Sequence, residues 1–207
     1  MTKMDFDFLH TVKGFMADEE MVRLHDLALD AAPRGPILEI GSYCGLSAAV
    51  IGAACKQTRS TLFSIDHHTG SEEQQPGEQY FDPDLYDKIM GRINTLPFFL
   101  KTIESAGLSE YVVPMVCASA VAGRMWRTPV SMVFIDGGHS FVTVYQDFLT
   151  WSPHVMANGF LVFHDIFLDP AQGGQAPRQV YDIALQTGDY IELPMTNTLG
   201  VLQQKPV

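Results

Sequence analysis

Along the 207-residue chain, apolar positions switch between a helical rhythm and short continuous runs. Residues 19–32 repeat at helical spacing through Met21, Leu24, Leu27, Ala28 and Ala31. That spacing predicts a helix, with Asp18 as its N-cap and Pro33 closing the run. "PILEI" (36–40) follows as a short buried strand, and "LSAAVIGAAC" (46–55) as a helix packed through small residues. "TLFSID" (61–66), "YVVPMVC" (111–117), "PVSMVFID" (129–136) and "GFLVFHD" (159–165) read as further strands. Helices are expected over 86–107, kinked or divided at Pro97, near "SAVAGRMW" (119–126) and over 177–187. "SFVTVYQDFLTW" (140–151) is amphipathic, with Phe141, Tyr145, Phe148 and Leu149 on one stripe. "YIELP" (190–194) and "TLGVLQQ" (198–204) complete the set of strands.

Strands alternating with helices predict a Rossmann-like α/β fold, a mostly parallel seven-stranded sheet with helices on both faces. The last two strands lie too close in sequence for a helical crossover, so they should form an antiparallel hairpin. No repeat or linker interrupts the pattern, which predicts a single domain over 1–207 with an N-terminal helical segment at 1–33. Residues 67–85, "HHTGSEEQQPGEQYFDPDL", are polar, acidic and without period. A loop this long in a compact domain reads as a lid, with a disordered segment as the alternative.

Composition narrows the partners. The formal net charge is -11, which argues against general binding of polyanionic nucleic acid and favours a neutral or cationic ligand, or a metal site. The three cysteines, Cys44, Cys55 and Cys117, fall in apolar segments without metal-type spacing and read as reduced thiols. No secretory leader and no bilayer-length apolar run are visible, so a soluble cytoplasmic protein is expected. Oligomeric state is left open, a homo-oligomer included.

The chemistry concentrates at "ILEIGSYCGLS" (37–47). Gly41 can turn the chain where a Cβ would clash, and Gly45 permits close approach of helix, strand and ligand. Asp66 ends the next strand, where an acid can accept ribose hydroxyls. This spacing suits nucleosides in general, NAD included. Yet the pattern is E-x-G-x-x-x-G and not G-x-G-x-x-G, and Glu39 would face a diphosphate unfavourably. S-adenosylmethionine has no phosphate and carries a positive tail, which an acidic mouth suits.

"ILEIGSYCGLS", "LFSID", "FIDGGHS" and "GFLVFHD", in this order, resemble a class I S-adenosylmethionine-dependent methyltransferase. More narrowly, residues 134–165 are similar to the small-molecule family that includes macrocin O-methyltransferase and the cephalosporin hydroxylase-like proteins. The resemblance implies that Glu39, Gly41 and Gly45, with Ser42, Tyr43 and Ser47 of the same stretch, cradle the methionine end. It also implies that Asp66 holds the ribose, with His67 in reach of the nucleoside, and that Ser119 lies near the adenine. Asp136 joins that cofactor set.

A second constellation lies at the ends of the fourth and fifth predicted strands. Asp136 and Asp165, on neighbouring strands, would repel unless one is protonated or a cation lies between them. With His164 they form a mixed oxygen and nitrogen site suited to Mg²⁺ or Mn²⁺. The family pairs two acids, or Asp-Asn, at positions 164–165, whereas this chain has His-Asp. Metal activation of an acceptor hydroxyl, or His139 as general base, both imply O-methylation of a small molecule, with N-methylation as the variant. An NAD-dependent oxidoreductase and a non-catalytic nucleoside-binding module are the competing readings. Trp126 and Trp151 read as packing residues, and Glu72 and Glu73 as a solvated loop face.

Overall fold

The computed structural model describes residues 4–206. A short helix α1 (Phe6–Leu9) precedes α2 (Asp18–Ala31), which buries the periodic residues Met21, Leu24, Leu27, Ala28 and Ala31. Asp18 is the first helical residue, not the cap. Ala17 takes that position, and Glu20 reaches back to accept a hydrogen bond from its N–H at 3.0 Å. Half of a capping box is thus enough to start the helix.

The chain continues through β1 (Ile37–Ile40), α3 (Leu46–Thr58), β2 (Leu62–Asp66), β3 (Tyr86–Asp87), β4 (Arg92–Ile93) and α4 (Leu96–Ser105). Then come β5 (Val112–Val116), α5 (Ser119–Gly123), β6 (Val130–Ile135), α6 (Phe141–Trp151), β7 (Val155–Phe163), α7 (Ala176–Gln186), β8 (Tyr190–Thr196) and β9 (Leu199–Gln204). Seven strands form one sheet in the order β5-β2-β1-β6-β7-β9-β8. The first five run parallel, and β9 pairs antiparallel with both β7 and β8. The predicted sheet and its terminal hairpin are therefore observed, with the last strand tucked inside the hairpin's first.

Alternation along the strands divides the core between two faces. Ile37, Leu62, Met132 and Phe134 pack against α2 and α3, while Leu38, Ile65, Val133 and Ile135 face the side of α6 and α7. Both edge strands carry a proline, Pro114 in β5 and Pro194 in β8. An edge is where a residue without an N–H does least harm.

Two further sequence expectations need correction. Residues 86–93 form a small hairpin, β3 with β4, whose turn is closed by the Asp87 carboxylate accepting from the N–H groups of Ile89 and Met90. The helix begins only at Leu96, with Pro97 in its first turn, where a missing N–H costs nothing. On α6 the buried side is Val144, Asp147, Phe148 and Trp151, whereas Phe141 and Leu149 are exposed. The helix has turned to bury its indole, and the stripe read from the sequence straddles the boundary. The 67–85 segment builds its own structure from polar groups. It contains 3₁₀ turns at Glu72–Gln74 and Pro83–Leu85, and the Gln75 amide donates to the carbonyls of Thr69, Gly70 and Ser71. Lys13 ties it to the N-terminal segment through Asp82 and Asp84.

Candidate active site

A cavity of about 960 Å³ lies beyond the carboxyl ends of the parallel strands, where open α/β sheets hold their ligands. Its size is that of a small-molecule site. The glycine turn forms its floor. Gly41 has φ +87°, and a Cβ there would lie 2.1 Å from the carbonyl oxygen of Asp136. This glycine is demanded by the chain itself, where β1 leaves the sheet beside β6.

Asp66 closes the turn. Its Oδ2 accepts hydrogen bonds from the N–H groups of Ser42 and Tyr43, both at 2.9 Å, and its Oδ1 accepts from His68 N–H at 2.7 Å. The carboxylate still lines the cavity, together with Gly41, Ser42, Tyr43, Ser47 and His67. Gly45 stands apart from this wall. It adopts φ +92° at the start of α3, and a Cβ there would press on Phe99 and Thr102 of α4 at 3.2 and 3.3 Å. Its role is helix packing. Ser119 does line the cavity, yet its Oγ is already engaged as acceptor for Trp151 Nε1–H at 2.6 Å. Trp151 is fully buried and Trp126 packs against it edge-on, so both tryptophans are packing residues.

Glu39 lies beneath the turn and not in the cavity wall. It is fully buried, accepts from Ser64 Oγ at 2.6 Å, and leaves Oε1 without a partner. Burial pushes its carboxyl up to about 7, against the lowering effect of hydrogen bonds from Ser47 and Ser64. Ser47 itself lines the cavity. A carboxyl whose folded pKa is raised favours the folded state less as pH climbs from the unfolded value to the folded one. Against Glu39→Gln, which cannot titrate, the wild type should lose up to ~3 kcal/mol of relative stability between about pH 4.5 and 7. Urea denaturation of both proteins across that range measures the difference, and parallel curves would refute the buried proton.

Charged groups converge at the ends of β6 and β7. Asp136 follows β6, while His164 and Asp165 follow β7, with Asp165 in a left-handed conformation at φ +58°. His164 is buried. Its Nε2 lies 3.2 Å from Glu20 Oε2, and its Nδ1 lies 3.2 Å from Asp136 Oδ1 and 3.6 Å from Asp165 Oδ2. Burial opposes its charge, but these three carboxylates hold its pKa well above the ordinary histidine value. Burial would likewise raise Glu20, yet His164, Ala17 N–H and Thr198 bring it down to about 2. Both ring nitrogens of His164 are thereby committed to carboxylates.

His139 is the second bridge. Its Nε2 lies 2.9 Å from Asp165 Oδ2 and its Nδ1 lies 2.9 Å from Glu73 Oε2. The Asp165 hydrogen bond, opposed by burial and aided by Glu73, raises the imidazole to about 9. Burial alone would raise Asp165, but the two histidines hold it well below the usual carboxylate range. Asp136 is raised by burial, more than His164 lowers it. One ligand atom each from Asp136, His139 and Asp165 lies within 4.8 Å of the others, a set open to the cavity. The atoms that converge on the cavity side are thus those of Asp136, His139 and Asp165, while both ring nitrogens of the expected ligand His164 face carboxylates.

Residues 38–166 match the family model described as a methyltransferase domain. The chain belongs to this methyltransferase family. Its sheet is shared by solved O-methyltransferases of low sequence identity. That of Bacillus cereus, in complex with SAH, is 13% identical, with a TM-score of 0.63 over 98% of this chain and 91% of the other. TomG of Streptomyces achromogenes, involved in tomaymycin synthesis and solved with SAM, is 16% identical, with a TM-score of 0.62 over 93% of this chain and 82% of the other. A curated relative from Pyricularia oryzae, the short-chain dehydrogenase RED1, is 29% identical over 191 residues, 88% of this chain. This methyltransferase domain spans 62% of that protein's length.

Three acids in or behind this cavity escape the sequence pattern. Glu20 sits in a helix first turn and Glu73 in an acidic loop, both ordinary places for solvated acids. Asp147, 5% exposed, opens on the cavity from within α6, although its position there resembles any polar residue of an amphipathic helix. Among the described residues, no helix is long and apolar enough to cross a membrane.

Proposed function

We propose that this domain transfers a methyl group from S-adenosylmethionine to an oxygen of a small-molecule acceptor at the mouths of β6 and β7. The observation that carries the choice of cofactor is the state of the glycine turn. In a dinucleotide site the amides of such a turn cradle a pyrophosphate. Here the N–H groups of Ser42 and Tyr43 are taken by Asp66, and a carboxylate stands where a diphosphate would need donors. The same acid suits a ribose and a cationic tail. The dehydrogenase name of the Pyricularia relative therefore does not carry over.

S-adenosylmethionine supplies a methyl group activated on a sulfonium. The chain has to align the acceptor, keep water out and see the acceptor proton removed. Asp66, Ser42, Tyr43 and Ser47 would hold the nucleoside and its tail, and Asp136, His139 and Asp165 would face the acceptor. The 67–85 segment would act as a lid, with Glu73 as its contact to His139. A Mg²⁺ or Mn²⁺ ion fits the three-residue donor set, two oxygens and a nitrogen with open positions toward the cavity. It would lower the pKa of an acceptor hydroxyl. The ion and the His139 proton compete for one place, since both balance the charge of the same carboxylates.

Thermal unfolding with S-adenosylhomocysteine, S-adenosylmethionine and NAD tests the reading. The first two should raise the melting temperature by mass action on the folded state, and NAD should not. Stabilisation by NAD alone would overturn the assignment. Addition of Mg²⁺ or Mn²⁺ to chelator-treated protein should raise the melting temperature further, and Asp165→Asn should abolish that increment.

A further inference from the structure

Surface helices normally turn charged side chains to water on the side opposite their buried stripe. α2 exposes Asp18, Glu19, Asp26 and Asp30 in this way, and α4 exposes Lys101 and Glu104. α6 does not. Its one charged residue, Asp147, is buried, and its exposed residues are Phe141, Val142, Thr143, Gln146 and Leu149. Val142 is 72% exposed and Leu149 53%. Phe141 and Tyr145 stack ring on ring, with centroids 5.5 Å apart and planes at 16°. Phe141, Tyr145 and Leu149 follow one another at i, i+4 spacing, so with Val142 they form one apolar stripe along the outside. The helix thus has two apolar sides, and the sheet takes only one.

The uncharged surface continues across Gln146 and Thr150 to α5. That helix packs so close that a Cβ on Gly123 would meet the Thr150 methyl group. It brings Val121 to the surface and, just beyond its end, Met125. An exposed apolar stripe rimmed by polar residues marks an association surface.

Charge identifies the occupant. The formal net charge is -11, so two copies of the chain repel through most of their surfaces. The outer side of α6 is an approach on which no like charges oppose each other. A different protein would be selected and oriented by complementary charge, and this side of α6 has none to offer. A two-fold axis asks only that the patch match itself. With two α6 helices antiparallel across such an axis, the Phe141 and Tyr145 rings of one lie against Leu149 of the other.

We infer that α6 is the self-association surface of this protein, a two-fold contact in which its outer stripe packs against that of a second copy. The inference stands apart from the cofactor and the methyl transfer, since the four stripe residues are not among those that line the cavity.

Sedimentation equilibrium of the full chain tests it. Wild type should be dimeric at about micromolar concentration. Val142→Glu and Leu149→Glu lie at exposed positions and should keep the far-ultraviolet spectrum. Each should raise the dissociation constant by about 100-fold or more, as an unpaired buried charge does. Leu100→Glu, which adds the same charge at an exposed position on α4, should leave the dimer intact. Raising the ionic strength from about 0.01 to 1 M should tighten the contact, because screening removes the repulsion between copies and spares the apolar stripe. A wild type that stays monomeric overturns the inference, even if the stripe were to bind another protein. A dimer that survives both α6 substitutions, weakens with salt or dissociates equally on Leu100→Glu overturns it as well.

Discussion

Replacing His164 by phenylalanine is expected to destabilise the fold by about 3–5 kcal/mol, the cost of removing one partner from a buried ion network. The ring fills the same space, so the loss measures charge and not volume. Three carboxylates depend on that imidazolium. Glu20 reaches it from α2, Asp136 from the end of β6 and Asp165 from the end of β7. Glu20 also accepts from the N–H and Oγ1 of Thr198, both at 2.8 Å, in the turn before β9. Without the cation, these acids would have to take up protons or separate, and the N-terminal helix would lose its hold on the terminal hairpin. Glu20→Gln added to His164→Phe should restore part of the loss, because the two residues share one interaction. Urea titration of the single and double variants reads both effects. A His164→Phe variant within 1 kcal/mol of wild type would mean that the imidazole is neutral and the network weak.

The second large effect concerns His139. His139→Ala should lower turnover by roughly 10²–10⁴-fold, the range of a general acid–base group, with S-adenosylhomocysteine affinity kept. The pH profile adds a sign. At neutral pH a group raised to about 9 is protonated, so His139 can neither accept a proton nor ligate a metal until it ionises. Turnover should therefore rise with pH, with an inflection near 9 and a plateau above it. Glu73→Gln, which removes one of the two carboxylates behind the shift, should move the inflection downward. The same ionisation works against the contact between His139 and Glu73. The stability that protonated His139 contributes is complete below about pH 6.5 and is lost as pH rises through 9. A flat turnover profile between pH 6 and 9.5 would leave His139 as a structural clasp.

Much of this architecture is legible in the chain because its strongest signals are local. Apolar runs ended by glycine or aspartate mark β1, β2, β6 and β7, and the short spacing of the last two strands fixes their antiparallel pairing. Asp136 and Asp165 are readable as candidate site residues because an acid at the carboxyl end of a parallel strand faces the cavity. What fails to show depends on contacts between segments far apart in sequence. Glu20 finds His164 at a separation of 144 residues, and Glu73 finds His139 at 66. Neither acid differs by type or spacing from a solvated one. Glu39 and Gly45 carry the opposite lesson: both belong to the glycine stretch, but one supports it from below and the other packs against α4. Periodicity also misplaces the α6 stripe, because a buried aspartate at Asp147 is invisible to a pattern that counts apolar residues alone.

The prolines at the two margins of the sheet reach beyond this molecule. An unprotected outer strand is a template on which a neighbouring chain can add its own backbone. Pro114 removes one donor from the margin at β5, and Pro194 sits at the irregular pairing between Leu193 and Thr196 at the other. Neither rim can therefore offer an uninterrupted ladder to an incoming strand. A neighbouring strand approaching either rim would meet a gap in the row of donors.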